Sequence, residues 1–290
     1  MKNNHSLRPL RLCGEKYNWT MDPNGNYKGL LMNARILIKI GGRAFEGEQG
    51  FKELAAAIKS SHGLELIIVH GGGAEISQAL KNAKRETKFI DGIRVTRAED
   101  IKIVEDVLSG VVNLRIASWL SGNGIECRRL SGKTENLFLV EPLTRGGLNW
   151  GYVGKIKQVN AAVVLDVLKQ SSVPVISPVS GDEMGESYNV NADSAAAALA
   201  AAADCTDLVF ITDVPGVMVH EEIRPSLSVN EAQSLITDGI IKGGMVAKME
   251  SAFEALNKKV PRVHIIQWQG TDTLKNLVTR QPVAGTVIVP

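Results

Sequence analysis

Arg35-Ile36-Leu37-Ile38-Lys39-Ile40-Gly41-Gly42 decides how the rest of the chain is read. Ile36, Leu37, Ile38 and Ile40 form a short apolar run of the kind a strand buried on both faces requires, and a glycine pair ends it. Lys39 interrupts the run, and a lysine is rarely buried without a partner. Two readings stand side by side here. The ammonium either snorkels from a strand end to water, or it is aimed at an anion beyond that end.

Working outward, Glu46 to Ser61 has helical spacing, with Phe51, Leu54, Ala55 and Ile58 on one face, and Leu64 to Val69 repeats the apolar strand. Strand, helix and strand in this rhythm predict a right-handed βαβ unit and a parallel sheet. The second strand ends in His70-Gly71-Gly72-Gly73, and a helix opens at once over Ala74 to Leu80. Glycines leave backbone N–H groups unobstructed, and a helix start adds its positive dipole end, so the turn reads as an anion nest. Plain loop flexibility is the alternative, at an entropic cost.

Lys84 to Thr96 reads as two short extended segments. Arg94 falls there between two β-branched residues, where its fork suits a bidentate carboxylate or, more simply, a pair with Asp91 or Glu99. A long helix is expected over Ala98 to Leu120, its apolar stripe serving as core or dimer seam, then a strand over Ile125 to Leu130. Ser131-Gly132-Lys133-Thr134 looks like the tail of a nucleotide P-loop, but the first glycine would fall at Cys127. Leu137 to Val140 and Trp150 to Val153 suggest a hairpin, Val159 to Lys169 a helix and Val173 to Ile176 a strand. Pro178 to Glu186, rich in glycine, proline and acid, marks a boundary between lobes.

Asn189, Asn191 and Asp193 precede an almost pure alanine run, Ser194 to Ala203, an excellent helix whose small side chains admit close neighbours. Helix capping accounts for one of these three polar residues. It leaves Asp193 to hold nearby cations and Asn189 to offer its amide to a ligand. Asp207 to Thr212 is another buried strand, closed by the turn Asp213-Val214-Pro215-Gly216. Ser228 to Ile236 reads as a helix with a Ser228/Glu231 capping pair. The loop Ile241 to Met245 opens a further helix, Val246 to Leu256, with Lys248 in its first turn against the helix dipole, a placement that a bound anion would explain. A strand over Val263 to Ile266, a short helix near Thr271 to Val278 and a strand over Thr286 to Val289 complete the sheet.

With 290 residues, 44% hydrophobic and 22% charged, the chain suffices for one large α/β domain or two lobes. A net charge of +2 without a dense Lys/Arg run is too mild to point to a nucleic-acid surface and leaves room for a small anionic substrate. Cys13, Cys127 and Cys205 are odd in number, far apart and without a CxxC pair, which argues against a disulfide framework or zinc site and fits a reducing cytoplasm. No stretch is long and apolar enough to span a bilayer. Residues 1–33 show neither period and no secretory leader pattern; they are expected to be a flexible arm, with Met32 an alternative start.

Two glycine-rich turns, two lysines at element ends, a placed arginine and an orienting aspartate are the inventory of phosphoryl transfer, whose catalysis is positioning plus charge neutralisation. No His, Cys or Ser falls in a nucleophile-and-base arrangement. A carboxylate acceptor, ionised at neutral pH with a pKa of roughly 4, would need none.

K-I-G-G at 39–42, V-H-G-G-G at 69–73, D-G-I-R-V-T at 91–96, N-V-N-A-D at 189–193, T-D-V-P-G-V at 212–217 and G-G-M-V-A-K at 243–248 resemble, in order, the motifs of the acetylglutamate kinases, in the amino acid kinase superfamily. The resemblance runs from about Ile36 to the C-terminus. It implies a three-layer α/β/α sandwich with a mainly parallel open sheet, divided into an acyl-amino-acid and dimerisation lobe (34–183) and an ATP lobe (184–290). The implied reaction transfers the γ-phosphoryl of ATP to the side-chain carboxylate of N-acetyl-L-glutamate, the second step of arginine biosynthesis, with Mg2+ carried by the nucleotide and no metal site on the chain.

By the same resemblance Lys39 and Lys248 stabilise the moving phosphoryl group while Asp193 holds both. Gly41, Gly42, Gly72 and Gly73 donate N–H groups, and Arg94 and Asn189 grip the amino acid. Thr212, Asp213, Gly216 and Val217, with the loop at Gly243, Gly244 and Met245, cradle the nucleotide. The partners implied are these two substrates and a second copy in a cytoplasmic homodimer, with neither nucleic acid nor membrane. Arginine-inhibited members resemble one another in a helical N-terminal arm and a C-terminal Gly-x-Gly-Thr. Here the arm does not read as a helix and Val283-Ala284-Gly285-Thr286 replaces that segment, so neither arginine feedback nor a hexamer is expected. The alternatives are a kinase for another acyl-glutamate or for carrier-bound 2-aminoadipate, and a silent ligand-binding member of the fold.

Overall fold

The computed structural model describes residues 17–21, 27–31, 34–41, 45 and 47–290. Within the stretch read as an arm, β1 (Tyr17–Met21) and β2 (Tyr27–Leu31) pair antiparallel as a hairpin. β3 (Ala34–Ile40), α1 (Glu48–Ser60) and β4 (Leu64–His70) form the expected βαβ unit, with β3 and β4 parallel and Lys39 opposite Val69. α2 (Gly73–Asn82) starts on the glycine turn. β5 (Lys88–Ile90) and β6 (Ile93–Val95) make a ribbon turned by Asp91 and Gly92, both at positive φ (47° and 77°), the geometry that matches strand twist in a two-residue hairpin.

The long helix expected over residues 98–120 is interrupted. α3 (Ile101–Glu105) passes into a widened π-helical stretch, Asp106–Val112, before α4 (Asn113–Gly122). β7 (Cys127–Ser131) follows. The hairpin forms with a different second arm: β8 (Phe138–Pro142) pairs with β9 (Gly154–Val159), not with residues 150–153. Trp150 instead packs in the core and Val153 bridges to Asn189. α5 (Ala162–Lys169) therefore starts three residues later than its apolar spacing suggests. After β10 (Val173–Ser177), the segment expected to separate two lobes contains β11 (Val179–Gly181), which with β12 (Ser187–Asn189), β8 and β9 makes a four-stranded sheet.

α6 (Ala192–Ala202), β13 (Asp207–Thr212), the small ribbon β14 (Met218–Val219) and β15 (Glu222–Ile223), β16 (Ser226–Ser228) and α7 (Val229–Thr237) come next. α7 carries the full Ser228/Glu231 capping box. α8 (Gly244–Asn257), β17 (Val263–Gln267), α9 (Asp272–Val278) and β18 (Thr286–Val289) end the chain. The main sheet runs β16-β18-β17-β13-β3-β4-β10-β7, parallel except for β17 against β18.

Each face of this sheet carries its own core, which makes the three layers. Ile36, Ile38 and Ile40 pack with Phe51 and Leu54 of α1 on one side. Leu37, Val69 and Phe210 pack with the alanines of α6 and with Met249 and Ala252 of α8 on the other. Side chains alternate along a strand, so Lys39 shares the face of Leu37 and rises beneath α6. Among the described residues no helix is long and apolar enough to cross a membrane.

Candidate active site

β3 delivers Lys39 to its carboxyl end, 8% exposed, with its Nζ 2.8 Å from Asp193 Oδ1. Gly41 keeps that path open, because a Cβ there would collide with the Lys39 ammonium. Asp193 lies in the first turn of α6. Its neighbour Asn191 is the N-cap, accepting from the N–H groups of Asp193 (2.8 Å) and Ser194 (3.2 Å). The cap is thus filled by another residue, and the Asp193 carboxylate is left for cations.

Lys248 supplies the second. Its Nζ lies 3.0 Å from Asp193 Oδ2 and 3.2 Å from Oδ1, over the Phe210 ring at 4.9 Å. α8 begins at Gly244 rather than at Val246, so Lys248 stands in its second turn, where the dipole opposes it less. Burial alone would raise the Asp193 pKa; the charges of Lys39 and Lys248 outweigh it and hold the carboxyl down at about 2. Two ammonium groups against one carboxylate leave a surplus positive charge at the carboxyl end of the central strands.

The glycine turn lies alongside. Gly71 donates its N–H to the Ile40 carbonyl at 2.9 Å, tying the turn to β3. Gly72 and Gly73 follow at the start of α2, and a Cβ on Gly72 would meet Leu108 Cδ2 at 2.7 Å. Arg94 on β6 is 6% exposed. Its Nη2 donates to the Gly73 carbonyl (2.8 Å) and Ser77 Oγ (2.9 Å), its Nη1 to Thr87 Oγ1 (3.3 Å), and the guanidinium stacks over Phe89 at 4.6 Å. Pairing with Asp91 or Glu99 does not occur: Glu99 is taken by Arg85 and Arg97, and among the described residues Arg94 has no carboxylate partner. Its burial without a counter-ion lowers its pKa from the usual arginine value.

Asn189 donates its side-chain amide to Thr96 Oγ1 at 3.0 Å. Lys39, Gly71 to Gly73, Arg94, Asn189 and Asp193 surround one cleft of about 270 Å³. The sequence-derived catalytic and acceptor residues therefore converge. Ser77 and Thr87, which fix the Arg94 fork, were not foreseen, although the Gly73/Ser77 spacing on a helix was visible.

The nucleotide set is more dispersed. Thr212 ends β13 with its hydroxyl on Asp213 Oδ1 at 3.1 Å, and Gly243 (φ 62°) caps α8 without a side-chain bond, so the N-terminal N–H groups there are not met by a side-chain cap. Gly244 and Met245 open that helix. Gly216 packs against Thr286, and the Val217 N–H donates to Thr286 Oγ1 at 2.8 Å, so these two are partly spent on internal structure. Gly42 lies outside the described residues. The P-loop-like Gly132-Lys133 is structural: Gly132 is pressed against Phe138 and Val179, and Lys133 bonds Glu105 and Ser187. Among the described residues, no group of three or more His, Cys, Asp or Glu is placed to hold a metal ion.

The sequence model of the Amino acid kinase family matches residues 34–267, the span that builds this cleft. The chain belongs to the amino acid kinase family. It is 36% identical over 262 residues to the acetylglutamate kinase of Geobacillus stearothermophilus, covering 85% of this chain and 98% of that relative. Against the acetylglutamate kinase of Prochlorococcus marinus (strain NATL1A) it is 37% identical over 265 residues, covering 89% and 86%. The crystal structure of smu.665 from Streptococcus mutans UA159 superimposes with a TM-score of 0.75 at 28% identity, over 89% of this chain and 99% of that one. Carbamate kinase from Giardia, at 15% identity and a TM-score of 0.62, shares the fold. The α/β/α reading with a mainly parallel sheet is thus correct.

Proposed function

We propose that the chain is a cytoplasmic acetylglutamate kinase, transferring the γ-phosphoryl of ATP to the side-chain carboxylate of N-acetyl-L-glutamate in arginine biosynthesis. One observation carries the reading: Asp193 holds Lys39 and Lys248 together at the mouth of a cleft that also holds Arg94, a buried cation with no carboxylate partner among the described residues. Arg94 meets the α-carboxylate of the acceptor with its charge and its remaining Nε–H and Nη1–H donors, both Nη2 hydrogens being held by Gly73 and Ser77, and Asn189 takes an amide group beside it. The Gly72 and Gly73 N–H groups and the two ammonium groups meet the charge that spreads over the transferring phosphoryl oxygens. The acceptor is ionised at neutral pH and is its own nucleophile, so no protein base is required.

The nucleotide lies over residues 184–290, on Thr212, Asp213, Gly216 and Val217 and at the α8 start (Gly243, Gly244, Met245), with its phosphates reaching Gly41 and Gly42 of the other lobe. The acceptor lies over residues 34–183, with Asn189 of the other lobe at its side. The surplus positive charge beside Asp193 fits a nucleotide that brings Mg2+ on its own phosphates. The ion would supply charge neutralisation there. Val111 and Leu114, 56% and 49% exposed on the π-helical stretch and α4, support a homodimer seam on that face, to be checked by light scattering.

ATP-dependent acyl-phosphate formation trapped as the hydroxamate tests the reading, with N-acetylglutamate, N-succinylglutamate and aminoadipate derivatives side by side. Turnover is expected with N-acetylglutamate above the others. A different preferred acceptor would reassign the substrate, and no turnover with any would leave a ligand-binding role.

A further inference from the structure

His70, the last residue of β4, is 1% exposed and belongs to no step described so far. Its Nδ1 lies 2.9 Å from the carbonyl of Gly71, and its Nε2 lies 3.0 Å from Asn113 Nδ2. A carbonyl only accepts, so Nδ1 carries the ring hydrogen. The other side of the ring gives the same answer independently. Asn113 is itself fully oriented: Oδ1 accepts from Arg129 Nε at 3.0 Å, a group that only donates, and Nδ2 donates to the Val175 carbonyl at 2.9 Å. The amide therefore presents N–H to the ring, and Nε2 must hold its lone pair. Protonation would set an Nε2–H against the Asn113 amide hydrogens.

This chain of bonds ends on the catalytic turn. Gly71 has its N–H on Ile40 and its carbonyl on His70, so both of its polar groups are pinned immediately before Gly72 and Gly73. At the other end, Asn113 directly follows the widened turn Asp106–Val112, and Leu108 and Val112 of that turn press on Gly72. Widened helical turns recur at functional sites because the extra residue re-aims the side chains after it.

We propose that His70, locked by Asn113 as the neutral Nδ1–H tautomer, is a positioning residue for phosphoryl transfer: by holding the Gly71 carbonyl it aims the Gly72 and Gly73 N–H groups into the cleft. The proposal rests on the kinase reading above. Burial is the largest influence on the ring and lowers its pKa to about 4; Arg115 and Lys39 act in the same direction, while the Gly71 bond and Glu75 oppose. Burial and the Asn113 contact thus favour the same neutral ring.

Two substitutions separate positioning from mere packing. His70→Asn places an amide N–H near the Nδ1 position and keeps the bond to Gly71, whereas His70→Gln reaches the Nε2 position and keeps only the contact with Asn113. His70→Asn is expected to retain most of the wild-type kcat. His70→Gln is expected to lose roughly 10²-fold in kcat, the scale of a misplaced site, at equal melting temperature. Equal activity in the two variants, or losses that follow stability alone, would overturn the proposal. A second readout uses the substrate-free protein: ¹⁵N NMR of the His70 ring should show the Nδ1–H tautomer with no titration between about pH 5 and 8. An Nε2–H tautomer or a titration in that range would also overturn it. If the wild type shows a locked ring but no turnover with any acceptor, the kinase reading has failed and the catalytic half of the proposal falls with it.

Discussion

Each end of the central sheet holds a buried aspartate among basic side chains, and the two clusters are built on different plans. Asp193, at the carboxyl end, meets the ammonium groups of Lys39 and Lys248 and, among the described residues, no other cation. Each lysine has three N–H hydrogens, so donors remain for a ligand in the cleft. Asp207, at the opposite end, is saturated. Its Oδ1 accepts from Arg262 Nε and His264 Nε2, both at 3.0 Å, and its Oδ2 from Arg280 Nη1 at 2.6 Å and Thr206 Oγ1 at 2.8 Å. Those donors come from β17 and the residue before it, the chain after α9 and the residue before β13, so the cluster ties three segments together. Cavity size does not distinguish the ends, since the Asp207 side has about 300 Å³ and the Asp193 side about 270 Å³. Unspent donors do.

The strongest way to break this contrast is Asp207→Ala. It takes the shared buried acceptor from the partly exposed Arg262 and Arg280 and should cost about 3 kcal/mol of stability, read by urea unfolding, with kcat/KM unchanged below the melting transition. A loss of kcat at unchanged stability would make the far end part of the mechanism. Lys39→Ala and Lys248→Ala should instead act on the chemistry, each lowering kcat by about 10²–10³-fold below the melting transition, with little change in acceptor binding. A kcat that stays put in either would remove that lysine from the chemistry.

The third test uses pH. Burial opposes ionisation of Asp193, but the two lysines hold its folded pKa at about 2, below an unfolded value of about 3.9. Its contribution is thus complete above about pH 4 and is lost as pH falls through about 2, on the order of 2 kcal/mol. Acid unfolding of wild type compared with Asp193→Asn should show this difference in that window, and parallel curves would refute it. The smallest effect is expected from Arg94→Lys. A point charge replaces a planar fork, so the KM for the acylated amino acid should rise roughly tenfold, with a lesser change in kcat. An unchanged KM would take Arg94 out of acceptor binding.

Much of this was legible in the chain because the buried strands are continuous apolar runs and the glycine turns are sharp interruptions. The strands ending at Ile40, Val69 and Thr212 read correctly to within a residue or so. The second arm of the hairpin did not, because β9, Lys155-Ile156-Lys157-Gln158 at an edge, is polar and the apolar Trp150 beside it is core rather than strand. The widened turn at Asp106–Val112 left no mark, since one extra residue in a helical turn hardly disturbs an apolar stripe. Nor could spacing pair Arg94 with Ser77 and Thr87 rather than with Glu99.

By itself the sequence determined that Lys39 would be a charge at the end of a buried strand, that Gly71 to Gly73 would open a helix, and that Asp193 would stand in the first turn of an alanine helix. Local pattern suffices for these, because strand alternation and helix starts are set by neighbouring residues. The tertiary structure alone decided that Lys39 and Lys248, 209 positions apart by their numbers, share one carboxylate. It also decided that Asp207 closes on itself while Asp193 stays open, and that Asn113 selects the tautomer of His70. These depend on which donors arrive from distant segments, and hydrogen-bond partners chosen across a sheet leave no period in the chain.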